Sequence, residues 1–158
     1  MKQILVISGK GGTGKTVLTA SFAALAPNKV MADCDVDAAD LHLILHPEIR
    51  QRHEFRGGRT ARISRELCST CGKCREVCRF DAVGADFSVD PVSCEGCGLC
   101  ARVCPRNAVA MEENLAGEWF VSDTAYGPLV HAKLGIAEEN SGKLVARVRQ
   151  AAKEIAEE

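Results

Sequence analysis

Apolar residues first gather in the unbroken run Ile4-Leu5-Val6-Ile7, and the stretch from Met1 to Ser8 has the pattern of a strand buried on both faces. A glycine-rich turn follows. Lys15 to Ala26 then carries Leu18, Phe22 and Leu25 at helical spacing, and Pro27-Asn28 ends that helix. Lys29 to Asp33 predicts a second short strand. Leu41, Ile44 and Leu45 predict a second helix that stops at Pro47. Strand, helix, strand, helix is the order of a parallel sheet with helical crossovers. From about residue 115 the pattern returns. Trp119 to Val121 and Leu129 to Leu134 read as strands joined through Gly127-Pro128. Asn140 or Ser141 caps a last helix with Leu144, Val148, Ala152 and Ile155 in one stripe, expected to pack on the sheet.

Between these two parts the aliphatic periodicity fades and cysteine replaces it. Eight of the nine cysteines lie between about 58 and 113, with Gly57-Gly58 at the entrance. The segment is an internal duplication with an offset of 26: Cys68, Cys71, Cys74 and Cys78 map onto Cys94, Cys97, Cys100 and Cys104, and Ala82-Val83 onto Ala108-Val109. The expected organisation is 1–57, 58–114 and 115–158, the middle part inserted into an α/β domain.

Composition narrows the chemistry. Apolar residues at 46% and charged residues at 26% describe a globular chain. A net charge of −1 gives no electrostatic case for a nucleic-acid or membrane-surface partner. No apolar run approaches bilayer length or forms a signal-peptide core, so the expected location is a reducing cytoplasm. There, nine cysteines point to metal ligation rather than disulfides.

Gly9-Lys10-Gly11-Gly12-Thr13-Gly14-Lys15-Thr16 matches the phosphate-binding pattern G-x-x-x-x-G-K-[ST], after a predicted strand and before a predicted helix. The glycines let backbone N–H groups converge on a phosphate, and the helix N-terminus adds partial positive charge. Lys15 can reach the terminal phosphates and the Thr16 hydroxyl can bind magnesium. Asp33-Cys34-Asp35-Val36-Asp37 follows the second strand, where carboxylates face the ligand crevice of a parallel sheet. Cys34 reads as a small apolar filler, since both cysteine quartets are complete without it.

Each quartet has the spacing Cys-x2-Cys-x2-Cys-x3-Cys of bacterial two-cluster ferredoxins. Three close thiolates wrap one cubane and the fourth reaches the other. Cys68, Cys71, Cys74 and Cys104 are therefore expected to hold one 4Fe–4S cluster, and Cys94, Cys97, Cys100 and Cys78 the second. Gly72, Gly96 and Gly98 leave N–H groups free to approach the sulfides. Structural zinc also favours paired Cys-x2-Cys, but gives no reason for a tandem eight-cysteine pattern. One departure stands out: Pro105 follows Cys104, whereas Arg79 follows Cys78. Large apolar residues are few here, so cluster ligation is expected to supply much of the segment's folding free energy.

The loop, with its early Lys10, resembles the deviant Walker A of MinD/ParA/Mrp-type dimeric ATPases. With the double cysteine motif and the segments 117–124 and 126–131, the whole chain resembles members of that superfamily that carry an inserted ferredoxin domain. The resemblance implies a partial P-loop parallel sheet with an inserted α+β bacterial-ferredoxin-like domain. It implies ATP and Mg2+ as ligands, Lys10 crossing to a homodimer partner's nucleotide, Asp33 supporting magnesium, and Asp35 orienting the attacking water. It further implies that a later strand with the Walker B aspartate lies beyond Glu158, so that this stretch alone hydrolyses ATP poorly. The leading expectation is nucleotide-coupled electron transfer to a redox partner protein. The alternatives are delivery of a cluster to an apo iron–sulfur acceptor, and a plain electron carrier with a non-functional loop.

Other features receive plain readings. His42 and His46 are helical neighbours without a third metal ligand. Arg50, Arg52, Arg56, Arg59, Arg62 and Arg65 form a basic linker read as a solvated face, with docking of an acidic redox partner as the alternative. Tyr126 and His131 lie near a glycine-proline turn with no role assigned.

Overall fold

The computed structural model describes residues 2–10, 12–135 and 141–157. They form a mixed α/β fold divided into two compact units, Met1–Phe55 with Ala116–Glu158, and Arg56–Leu115. Four strands form one sheet: β1 (Met31–Ala32), β2 (Glu48–Ile63), β3 (Val109–Thr124) and β4 (Gly127–Leu134), in the order β1-β4-β3-β2. The helices are α1 (Lys15–Leu25), α2 (Leu41–Leu45), α3 (Lys73–Glu76), α4 (Leu99–Val103) and α5 (Ser141–Glu157).

In the first unit, β1 pairs with β4 in parallel, Met31 opposite Leu129 and Ala32 opposite Val130. β3 and β4 are antiparallel, with Thr124 opposite Gly127. The wholly parallel sheet expected from the element order is thus corrected to a mixed one, because the turn at Ala125-Tyr126 is too short for anything but a hairpin. The Thr124 hydroxyl donates to the Gly127 carbonyl at 2.8 Å and accepts the Tyr126 N–H at 3.0 Å, closing that turn.

Side-chain alternation sends the two faces of the sheet to different cores. On one face Val130, Ala132 and Trp119 pack with Leu144, Val148, Ala151 and Ala152 of α5, so the predicted stripe meets the sheet. Ile155 is partly buried against the same cluster, as is Cys34, consistent with a filler. Leu129 and Met31 on the other face pack with Ala23 of α1 and Leu41 and Leu45 of α2. The predicted cap at Asn140 or Ser141 lies outside the described residues and side chains.

Two expectations change. The Met1–Ser8 strand does not form over the described residues 2–8, and Ile4, Leu5 and Ile7 are each more than three-quarters exposed. A strand needs neighbours on its hydrogen-bonding edges, and none of the described residues offers one here. The basic linker is corrected in part: Arg50, Arg52, Arg56, Arg59 and Arg62 lie in β2 and Arg65 follows it, while Arg50, Arg52 and Arg62 stay largely exposed, as a solvated face requires. Arg50 pairs with Asp123, and Arg52 makes two 2.7 Å hydrogen bonds to Glu118. Within the second unit Arg62 reaches Glu112 at 3.3 Å. These arginines sit at alternating positions and meet acids of β3, a period-two signal masked by their charge.

The second unit repeats its backbone at the offset seen in the sequence. α3 and α4 each begin after a left-handed glycine, Gly72 and Gly98. Thr70 and Gly96 are both left-handed, as are Asp81 and Asn107. Only small side chains are buried: Ala61, Cys74, Ala82, Val83, Ala108 and Val109. A Cβ on Gly96 would collide with the Arg59 carbonyl, so glycine is required there by both φ and contact. Among the described residues, no helix is long and apolar enough to cross a membrane.

Candidate functional site

The glycine loop runs into α1 as its spacing requires. Gly12 and Gly14 have φ of 75° and 84°, conformations that expose successive backbone N–H groups on one side. A Cβ at Gly9, Gly12 or Gly14 would meet nothing within 4 Å, so the loop surface is open. The Thr13 hydroxyl donates to the Lys10 carbonyl at 3.2 Å, and Leu18 N–H donates to Gly14 O at 2.9 Å to start the helix. Gly11 lies outside the described residues. Thr16 is half-buried in the first turn of α1, and Lys10 is exposed.

Three predicted residues come together. Lys15 Nζ hydrogen-bonds the Asp35 carboxylate. That bond raises the Lys15 pKa against the opposing effect of burial, with Asp33 and Asp40 adding to the rise. Asp33 accepts the Asp35 N–H at 3.1 Å and the Leu41 N–H at 3.2 Å. Burial nevertheless pushes its carboxyl above the ordinary value. The segment after β1 is therefore fastened to α2 by one aspartate and to the loop by the other. Lys10 joins no such ion pair among the described residues.

In the second unit Cys68, Cys71 and Cys74 line one pocket together with Cys104 from the other repeat. Ile63, Phe87, Ala108 and Val109 supply its apolar wall. Burial raises the Cys74 thiol pKa, with Cys68 and Cys71 close enough to add to it. Burial also pushes Cys104 up, but the N–H groups of Ala108, Arg106, Val109 and Asn107 outweigh it and bring the thiol down. The Ala108 N–H to Cys104 Sγ bond is 3.2 Å. Cys94 and Cys97 likewise stand near Cys100, whose thiol is raised chiefly by burial. Cys78 is half-buried and does not line the first pocket. Among the described residues, no three His, Cys, Asp or Glu side chains converge on a single metal ion.

Sequence reasoning assigned nothing to a polar layer on the α2 side of β3 and β4. Ser122 Oγ and His131 Nε2 share a 3.1 Å hydrogen bond, with both residues buried. The His131 ring stacks on Phe120 at 5.0 Å and on His42 at 5.7 Å. The Arg52 guanidinium lies 5.8 Å from the Phe120 centroid. Burial, then the charge of His42, pushes His131 down from 6.5 to about 4. The unfolded chain therefore takes up a proton that the fold refuses. Stability is fully present above about 6.5 and lost as pH falls toward about 4, by roughly 2–3 kcal/mol at pH 4.5. Urea unfolding followed by Trp119 fluorescence at pH 7 and pH 4.5 reads this loss, and His131→Gln is expected to remove it.

Comparison with known proteins adds a family. The model described as the CobQ/CobB/MinD/ParA nucleotide binding domain matches residues 4–156. An uncharacterized protein of Methanocaldococcus jannaschii is 40% identical over 163 residues, which cover 96% of this chain and 55% of that protein. The chain thus spans about half the length of the relative it matches.

Proposed function

We propose, from the premise that the chain belongs to the CobQ/CobB/MinD/ParA nucleotide-binding family, that it couples ATP binding to electron transfer through two 4Fe–4S clusters in residues 58–114. The nucleotide and Mg2+ belong to the family fold. The clusters are our reading of the second unit, and the observation that carries it is the pocket that joins Cys68, Cys71 and Cys74 to Cys104. Thiolates around a cubane each bind a different iron, so they stand farther apart than ligands of one ion. Four thiols drawn from both repeats around one pocket suit that demand. The Ala108 N–H aimed at Cys104 Sγ suits a thiolate ligand.

At the loop, the N–H groups around Gly12 and Gly14 bind the phosphates and Lys15 neutralises their charge. Thr16 and Asp33 hold the magnesium ion. Lys15 exchanges its Asp35 partner for the terminal phosphate. Asp35 is then free to orient water, and Lys10, exposed and unpaired among the described residues, reaches the nucleotide of a homodimer partner. Release of Asp35 loosens the segment that Asp33 ties to α2, the route by which nucleotide state reaches the rest of the protein. Bound clusters supply one-electron chemistry to a redox partner protein. The cysteines hold them, and the apolar wall of Ile63, Phe87 and Val109 keeps water from one of them.

Anaerobically prepared protein is expected to contain about eight iron and eight acid-labile sulfide per chain. Colourless protein with zinc alone would overturn the cluster reading. Magnesium-ATP is expected to shift the electron paramagnetic resonance (EPR) spectrum or potential of the reduced protein, and an unchanged spectrum at saturation would remove the coupling.

A further inference from the structure

We propose that the two cluster sites are electronically unequal, with the site of Cys68, Cys71, Cys74 and Cys104 taking up the first electron. The inference rests on the cluster reading above and concerns what this chain's backbone does to the two sites. Thr70 N–H donates to Cys68 Sγ at 3.4 Å, and Ala108 N–H donates to Cys104 Sγ at 3.2 Å. Their repeat-mates are Gly96 beside Cys94 and Ala82 beside Cys78. Neither donates such a bond among the described residues. One site thus receives two N–H···S bonds that the other lacks, although the repeat supplies the same backbone groups to both.

The difference has a local cause at the fourth cysteine. Cys104 opens a β-turn closed by the Asn107 N–H to Cys104 O bond at 3.2 Å, with Pro105 in its second position. Proline fixes the φ that this turn position needs. The tightened turn carries the Ala108 N–H onto the sulfur. In the other repeat Arg79 stands in place of Pro105, in a turn at residues 79–80 that matches the one at 105–106. Both turns end on left-handed residues, Asp81 at φ 51° and Asn107 at φ 49°, so the path is shared and the proline is what differs.

The electronic consequence follows from charge. One-electron reduction adds a negative charge that spreads onto the thiolates. An N–H donor stabilises the more negative state more strongly and so raises the potential. Burial works the other way, and the first site has the apolar wall of Ile63, Phe87, Ala108 and Val109. Cys71 and Cys97 are both exposed, and the remaining ligands are half-buried except Cys74, which is buried. That wall and the buried Cys74 oppose the two added hydrogen bonds, and the proposal is that the bonds prevail.

The test is a potentiometric titration of the whole anaerobic chain with dithionite as electron donor, followed by EPR. Two one-electron steps are expected, apart by about tenfold in the reduction equilibrium, or about 59 mV. Cys104→Ser should move the higher step and Cys78→Ser the lower. Arg79→Pro should raise the lower step and narrow the gap. Pro105→Ala should lower the higher step, which keeps the test open if Arg79→Pro fails to fold. A single unresolved step in iron-replete protein, or Cys104→Ser moving the lower step, overturns this inference and leaves the cluster reading intact. Protein without iron overturns both.

Discussion

Lys15→Ala is expected to weaken magnesium-ATP binding about a hundredfold while leaving the iron content of the chain unchanged. Among the described residues Lys15 is the one loop side chain held in a charge-assisted contact, and its hydrogen bond to Asp35 raises its pKa further. A terminal phosphate offers the ammonium more charge and more acceptor oxygens than one carboxylate, so exchange of partners favours the nucleotide. Alanine removes the cation and leaves only the backbone cradle. Asp35→Asn provides the opposite control. It takes away the competitor for the ammonium and is expected to bind nucleotide at least as tightly as the unmodified chain. Calorimetric titration of the three proteins separates the cases. Equal affinity for Lys15→Ala and the parent would mean that the phosphates do not bind at this loop.

Iron removal should produce the second large effect, a loss of ordered structure confined to residues 56–115. The buried side chains of that unit are alanine, valine and one cysteine, with no leucine, isoleucine or aromatic ring among them. Side chains of that size bury little apolar surface against the conformational entropy of about sixty residues, and on the proposed reading metal–thiolate bonds supply the difference. The first unit is built differently, with Leu129, Val130, Leu144 and Val148 completely buried around the sheet. Treatment with a strong iron chelator, followed by hydrogen exchange, should abolish protection around α3 and α4 and preserve it in β4 and α5. Unchanged protection around α3 and α4 would show that the unit folds on small side chains alone, and would remove the physical argument for resident clusters.

Much of the site was legible because its chemistry depends on short-range spacing. The phosphate loop occupies consecutive residues, and the helix after it forms as its period predicts, although Leu18, Phe22 and Leu25 of that stripe are exposed and Ala23 is the residue it buries. The duplication at an offset of 26 reappears as paired left-handed positions and paired short helices, since equal local sequences prefer equal local backbone. Residues 2–8 were misread for the complementary reason. Their aliphatic run expresses a preference for burial, but pairing depends on neighbours elsewhere in the chain, and the described residues do not provide them. The arginines along β2 are solvent-exposed as read, but the stretch was taken for a linker, and only Asp123, Glu118 and Glu112 on β3 reveal their alternation as that of a strand.

The sequence by itself determined the phosphate loop, the doubled cysteine spacing, α1 and the stripe of α5, all of them patterns closed within a few turns of chain. Tertiary structure alone decided that the sheet is mixed, that Lys15 meets Asp35 across 20 residues, and that His131 is buried against Ser122. These depend on which distant segments pack together. That choice is set by the free energy of the whole assembled core, and no window along the chain contains it.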